Sequence, residues 1–549
     1  MKRLFAILPL ICLAGNALAF DYYLGDNLIT YSSQANPAKG ASYTDSPYGT
    51  TVTRITNRAT DGHGQWGVGC GYSTWAPHNS NDNALLLYLL SDLNTASGYA
   101  VFKADGTYVK TLSTLQWFNS QDPEPRWDSS GNFPNRVYYR TDKQLRAIDV
   151  SNDNDILIHD FATEYPSTGT YISNGEEGIQ SWDNRYWAFA LWTNSTTVHR
   201  LIVYDQVNDN IIASKAITAE PNSVSMSPSG DYVYAAYDYI SGANTEFDGP
   251  HAYTRDLTSN VKISSGIPHL SFAYDAQGHE VAHFMDSDMV SYVHLDNGTK
   301  VDLYAQADLG WAESNLLHTA TPQSKKGWAF IATYSANNTE WDYNQIFSFE
   351  LDDTKCYTGC DNTPRIWRVA FTQNLVGANY YYNQPNLQMS KDGMSIYWGA
   401  NWRTPQSATD VYMVALPTNW WEDLGGTPAS DTTPAAFSFT DNTGVALSTG
   451  IYSTSVQVLG IDNTCSISLA GAGCEYKVNA GAWATANDNV TLNDNVALRV
   501  TSSASHNTAV SCVLNLGGVS DTWSVTTLAV VDDPQTPRFR GSSMSGGWR

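Results

Sequence analysis

Positive charge is scarce in this chain: 30 Lys and Arg face 54 Asp and Glu across 549 residues, a formal charge of −24. That balance argues against a nucleic-acid backbone or an anionic membrane surface as the main partner, since both reward net positive charge. Charge of either sign is thin, at 15% of residues, while 12% are aromatic. Long apolar runs are missing too. Beyond residue 19 no stretch approaches the ~20 apolar residues that a membrane helix requires, so no transmembrane segment is expected. The seven cysteines form no CxxC pair and no CxxCH, which argues against a zinc ribbon and against covalent c-type haem. There is no GxSxG elbow, and the glycine-rich stretch 61–70 opens no helix, so a phosphate-cradling loop is not expected.

What is present begins with an export signal. Lys2 and Arg3 precede the apolar run Leu4 to Leu13, and Ala17-Leu18-Ala19 offers a small-x-small cleavage site before Phe20. Residues 1–19 therefore read as a cleaved signal peptide, and the mature protein as secreted, extracellular or periplasmic. A lipid anchor on Cys12 fits poorly, because no small residue precedes it. An oxidising destination permits disulfides. Cys356 and Cys360 bracket a small loop, and Cys465 with Cys474 or Cys512 is expected to staple the carboxy-terminal region.

The body alternates short Tyr-, Val-, Phe- and Trp-rich runs with Gly, Asn, Asp, Ser and Pro, a pattern of strands and turns. These runs repeat. Ser225-Met-Ser-Pro-Ser-Gly230 leads into Tyr232-Val-Tyr-Ala-Ala-Tyr237, and Phe272-Ala-Tyr-Asp-Ala-Gln-Gly278 into Val281-Ala-His-Phe284. Met389-Ser-Lys-Asp-Gly393 leads into Ser395-Ile-Tyr-Trp398. Gly230, Gly278 and Gly327 are spaced by 48 and 49 residues. A period of that size, holding about four strands, marks a β-propeller. Seven units fit between residues 60 and 418, the sixth lengthened around Cys356–Cys360, and Thr51-Val-Thr-Arg-Ile-Thr56 is expected to close the ring as the outer strand of the last blade.

The fold class is thus all-β: a seven-bladed propeller over 20–420, a linker over 421–431, a small β-sandwich over 432–532 and a flexible tail over 533–549. The Asp-Gly and Pro-Ser-Gly turns resemble those of secreted TolB/WD40-like propellers, and the architecture is similar to that of propeller-type polysaccharide lyases acting on ulvan or oligogalacturonate. Phe437-Ser-Phe, Thr443-Gly-Val-Ala-Leu, Gly517-Gly-Val-Ser and Trp523-Ser-Val-Thr-Thr resemble a bacterial Ig-like module. The resemblance implies that this second region is a spacer or attaches the protein to a partner.

In a propeller the first strand of each blade lines the central channel. His269 and His318 each lie nine residues before a repeat glycine, Gly278 and Gly327; Gln384 has the same offset from Gly393, and Asn222 follows the equivalent Pro221. Equal offsets mean equal depth, so the two histidines are expected side by side at the channel mouth with Asn222 and Gln384. Arg126, Trp127, Glu176 and Glu177 enter from the opposite side. Three readings compete. In the first, a polysaccharide lyase, His269 or His318 is the base, Arg126 or Arg255 neutralises the uronate carboxylate, and Tyr253 or Tyr382 is the acid. In the second, the histidines with Gln384 or Glu177 hold a divalent cation, structural or catalytic. In the third, these groups satisfy loop backbones and the propeller is a non-catalytic platform for a polysaccharide or cell-surface partner. Trp127, Trp117 and Trp311 are candidates to stack on sugar faces.

Overall fold

A computed structural model describes residues 21–530 except 26–28, 30–32, 62–66, 91–95, 114, 116–121, 176, 239–244, 267–268, 287–288, 306–316, 321–322, 334–342, 361, 376–383, 405–408, 426–431 and 462–463. The expected signal at 1–19 and the tail at 533–549 lie outside the described residues. The chain divides into two compact units, Met1–Gly426 and Thr427–Arg549.

In the first unit the described strands form seven antiparallel sheets, met in chain order at 68–111, 126–160, 171–216, 221–262, 270–305, 317–371 and 388–415. Six have four strands. The seventh joins Gln388–Met389, Ser395–Ala400 and Asp410–Ala415 to two strands from the start of the unit, Thr51–Arg54 and Ser42–Thr44. Thr51 pairs with Ala415 and Arg54 with Tyr412, so one end of the unit is sealed onto the other. Such a succession of four-stranded sheets is a β-propeller. The edge strand Ser42–Thr44 was not expected from the sequence.

One turn recurs after the first strand. Ser181, Ser227 and Ser390 open it in the third, fourth and seventh sheets, and each hydroxyl accepts the backbone N–H five residues on, from Tyr186, Tyr232 and Ser395. The fourth turn residue has positive φ: 80° at Gly230, 70° at Gly393, and 62° at Asn184, which stands in for glycine. Glycine adopts that backbone without penalty and asparagine tolerates it, which explains the periodic glycines. A Cβ on Gly230 would also come within 2.3 Å of the Tyr186 ring.

Because each sheet has a neighbour on either face, its middle strands are buried on both sides. Trp328–Thr333 and Gln345–Glu350 are buried at every position, whereas the outer strand Asn154–Asp160 is half-buried or exposed. The residues following the seventh sheet add to this core. Trp420, at the start of the short helix Trp420–Asp423, is fully buried against Trp328, Phe330 and Trp367, and its indole N–H donates to the Gly393 carbonyl at 2.9 Å. Trp421 and Leu424 are buried in the same cluster. The expected linker at 421–431 therefore begins inside the core, where a tryptophan pair outweighs the Gly-Gly punctuation that follows.

His283, in the fifth sheet, is fully buried and neither ring nitrogen has a hydrogen-bond partner among the described residues. Desolvation pushes its pKa down to about 3. The unfolded chain binds a proton near pH 6.5 and the folded one does not, so this residue costs nothing above that pH. Below it, stability falls by about 1.4 kcal/mol per pH unit until the folded pKa is reached. The urea midpoint of His283→Leu is accordingly expected to drop less than that of the wild type between pH 7 and pH 4.5.

The second unit holds two sheets around one hydrophobic cluster. In one, the order is Asn442–Val445, Val519–Thr527, Ala509–Leu516, Cys465–Ala470 and Asp488–Val490; in the other, Asn495–Thr501 pairs with Gly450–Tyr452, Val456–Gln457 and Glu475–Val478. Trp523, Ile467, Leu514, Val496 and Leu498 are fully buried between them. The disulfide here is Cys474–Cys512, Cα atoms 5.8 Å apart, and Cys465 is a free, buried thiol. This corrects the expected bond through Cys465. Ala470 pairs with Val513, and the turn through Gly471 folds Cys474 back over Cys512, while Cys465 lies farther along the ladder, beyond the Ile467–Leu516 pair. Cys356 and Cys360, in the first unit, are bonded as expected.

Candidate functional site

The first strands and the turns after them converge on a cavity of about 610 Å³, counting the open solvent at its mouth. Thr74, Trp75 and His78 line it from the first sheet and Arg126 and Trp127 from the second; Gln180, Gln323, Gln388 and Lys391 come from the third, sixth and seventh. Two cations, Arg126 and Lys391, and the carboxylate of Asp128 line it. The Arg126 guanidinium lies 3.6 Å over the Trp75 ring, and its Nε and Nη2 donate to the Gly178 carbonyl. Burial pushes its pKa down to about 10, against the pull of Glu124 and Asp122, so it is charged at neutral pH. The half-buried Lys391 ammonium donates to the Ser129 carbonyl, and desolvation lowers its pKa below the usual lysine range. Asp128, the carboxylate on the wall, accepts hydrogen bonds from Ser130, Gly131 and Asn184 within the protein.

Next to this cavity is a second group of ionisable side chains. The Tyr72 hydroxyl donates to Glu177 Oε1 at 2.6 Å, Thr74 Oγ1 donates to the Glu177 carbonyl at 3.1 Å, and the Tyr72 ring meets His269 edge-on with centroids 6.1 Å apart. Burial raises the Glu177 pKa, while the His269 charge and the Tyr72 hydrogen bond oppose that rise. Gln388 Nε2 donates to the Tyr72 carbonyl at 3.0 Å, tying this group to the cavity wall. The fully buried Tyr234 hydroxyl feels the Glu177 charge and has no hydrogen-bond partner among the described residues. Gly178 makes the arrangement possible: a Cβ there would lie 2.0 Å from the Asn174 carbonyl and 2.4 Å from that of Val224. An imidazole beside a carboxylate that a tyrosine hydroxyl holds in place is an arrangement suited to proton transfer.

Of the residues singled out in the sequence, Arg126, Trp127, Glu177 and His269 fall in these two groups. The Trp127 indole N–H is committed to the Pro77 carbonyl at 3.1 Å. His318 lies on the strand Leu317–Ala320, opposite Ala332, and its side chain is outside the described residues. Trp117, Trp311, Glu176 and Tyr382 are outside them as well. Gln384 is half-buried, its amide oxygen without a partner among the described residues, and Asn222 is exposed on the strand Pro221–Met226. Tyr253 and Arg255 are elsewhere. Tyr253 is on the third strand of its sheet, fully buried, donating to the Glu246 carbonyl at 2.9 Å. Arg255, in the turn beyond, caps the Tyr186 ring at 4.3 Å and pairs with Asp231. Neither is on a channel-lining strand, which corrects the expectation that they act on a channel-bound uronate.

Tyr72 and Lys391 were missed. Lys391 occupies the second position of the recurrent turn, where the third and fourth sheets have Trp182 and Pro228, so comparing repeats would have found it. Tyr72 lies in an irregular stretch with no such signal. A third string was passed over: His279-Glu280-Val281-Ala282-His283 matches HExxH. That motif needs a helix to bring both imidazoles to one metal. Here Glu280–Asp286 is a strand, which separates the two residues by about 13 Å along its length.

Fold and site together define a β-propeller with an ionisable, aromatic-lined site where its first strands meet. No family model matches the chain, and no curated protein sequence matches it. Among solved structures it is similar to an oligogalacturonate lyase from Vibrio parahaemolyticus, at 11% identity and a TM-score of 0.45, covering 69% of this chain and 97% of that one. It is also similar to the Neurospora crassa Pan2 WD40 domain, at 12% identity and a TM-score of 0.38 over 65% of this chain and 95% of that one. Hydrazine synthase of Kuenenia stuttgartiensis is similar at 12% identity and a TM-score of 0.38, covering 64% of this chain and 96% of that one. Likenesses this distant assign no activity to the site.

Proposed function

We propose that the propeller binds an acidic polysaccharide in its channel and cleaves it by β-elimination. The observation that carries this reading is the Tyr72–Glu177–His269 group beside a cavity lined by Arg126 and Lys391. A uronate carboxylate is attracted to the two cations, and that neutralisation acidifies the proton on the adjacent carbon. His269 takes the proton, the electron pair forms the new carbon–carbon double bond, and the glycosidic oxygen leaves with a proton from Tyr72, which Glu177 holds in place. The half-buried Trp182 indole, which also lines the cavity, provides an apolar wall for a sugar ring. In the same reading the seven sheets are seven blades of one ring, residues 1–19 direct the protein out of the cytoplasm, and the second unit is an Ig-like attachment module.

The test is the ultraviolet absorbance of the unsaturated product when the full mature chain meets a panel of uronate polysaccharides, with and without EDTA. A rising signal supports elimination. A flat trace on every polymer, from protein whose folding is normal, removes it. Polymers that nonetheless retard the protein in a gel would then leave a non-catalytic, carbohydrate-binding platform.

A further inference from the structure

We propose that Asp275, His279, His294 and Asp353, none of which lines the cavity, form a structural binding site for a divalent transition-metal ion of the zinc type. One ligand atom from each lies within 4.8 Å of every other. His279 Nδ1 is 2.8 Å from Asp275 Oδ2 and 3.4 Å from Asp353 Oδ2. His294 Nε2 is 3.5 Å from Asp275 Oδ2 and 2.9 Å from Asp353 Oδ1. Ligands at Zn–N and Zn–O bond lengths on a tetrahedron are about 3.3 Å apart. The four separations bracket that value, so small rotations of the side chains around an ion would reach it. Two imidazoles and two carboxylates suit zinc and its neighbours and disfavour calcium and magnesium, which take oxygen.

The site grows out of a change in the repeat. Where Ser181, Ser227 and Ser390 open the turn in other sheets, the fifth sheet has Asp275. Its Oδ1 keeps a turn-closing role, accepting the His279 N–H at 2.8 Å. A serine has no second oxygen; aspartate does, and this Oδ2, on a fully buried side chain, faces both histidines. Outer partners orient the set. The Tyr292 hydroxyl donates to Asp353 Oδ1 at 2.7 Å, and the Asp353 N–H donates to Gln277 Oε1 at 3.2 Å. Such partners are what metal sites use to fix their ligands. Asp353 follows the third strand of the sixth sheet and the other three ligands belong to the fifth, so an ion here would clip adjacent sheets together. The backbone bonds Ala276 N to Leu351 O and Gly327 N to Tyr274 O, both 2.8 Å, already join them at this point.

The rival account is a cluster of imidazolium–carboxylate pairs that needs no ion. Full-length protein stripped with EDTA and titrated with Zn²⁺ alone, in competition with a chromophoric chelator, separates the two. One equivalent is expected to bind and to raise the melting temperature, and Co²⁺ is expected to give the intense visible absorption of a tetrahedral site. His279 is 47% exposed, so His279→Gln should fold normally and should abolish stoichiometric binding. Tyr292→Phe, which removes only an outer partner, should weaken Zn²⁺ by about 10–100-fold. A hundredfold excess of Ca²⁺ should not compete. Absence of stoichiometric Zn²⁺ binding, or equal binding by His279→Gln, would overturn the proposal; neither result bears on elimination in the channel.

Discussion

His269→Ala is expected to lower the rate of unsaturated-product formation by about 10²–10⁴-fold, the usual contribution of a positioned general base. The imidazole is half-buried just before the first strand of its sheet, beside Tyr72 and the Glu177 charge, so its removal should leave the melting temperature close to that of the wild type. Glu177→Gln keeps the shape and can still accept the Tyr72 hydrogen bond, but removes the negative charge that stabilises an imidazolium. A smaller loss in kcat is expected there, with KM little changed. Lys391→Met should act the other way: its ammonium faces the proposed carboxylate subsite, so KM should rise more than kcat falls. Steady-state kinetics on the most active polymer measure all three. A His269→Ala enzyme as fast as the wild type would exclude the imidazole as the base.

Trp420→Ala is expected to destabilise the first unit by about 3–5 kcal/mol, the range for deleting a fully buried large aromatic. The indole is wedged between the sixth and seventh sheets, with ring centroids 5.3 Å from Trp367 and 5.4 Å from Phe330. The side chains around it are themselves buried, so the cavity left behind should close only partly. Trp420→Phe keeps most of the packing and loses the hydrogen bond to Gly393, about 1 kcal/mol. Urea unfolding followed by tryptophan fluorescence should rank wild type, Phe and Ala in that order. An Ala variant within 1 kcal/mol of the wild type would mean that the helix at 420–423 does not anchor the ring.

The propeller was legible because its turns are chemically stereotyped. Positive φ demands glycine, or asparagine as at Asn184, so the spacing of Gly230, Gly278 and Gly327 carries the repeat length directly. Equal offsets from those glycines also singled out His269, which lies just before the first strand of its sheet, beside Tyr72. They could not find Tyr72, which lies in a first-sheet stretch that departs from the repeat, and they said nothing of Tyr253 and Arg255, which were named for the lyase chemistry alone and belong to a third strand and the turn after it. Partners separated by a strand or a sheet were invisible for a different reason. His279 and Asp353 are 74 residues apart in sequence, and no local pattern says that the loop after one strand meets a turn of the neighbouring sheet. The cysteine pairing failed similarly, since either partner of Cys465 was compatible with spacing and only the ladder register between 465–470 and 509–516 decides.

The seal between Thr51–Arg54 and Asp410–Ala415 has a consequence for how the molecule is made. A ribosome delivers the first of these strands roughly 350 residues before its partner, at about 5–20 residues per second. For tens of seconds the early segment has no ladder to join, its own backbone groups are left unpaired, and the last sheet made has one face uncovered. Closing a loop that long contributes heavily to contact order, so ring closure should be the slow, late event of folding. Export through a membrane would postpone it further, to the far side of the bilayer, where the last strand arrives. The same strand that holds the finished ring together thus makes the unfinished chain dependent on being kept from pairing with its neighbours.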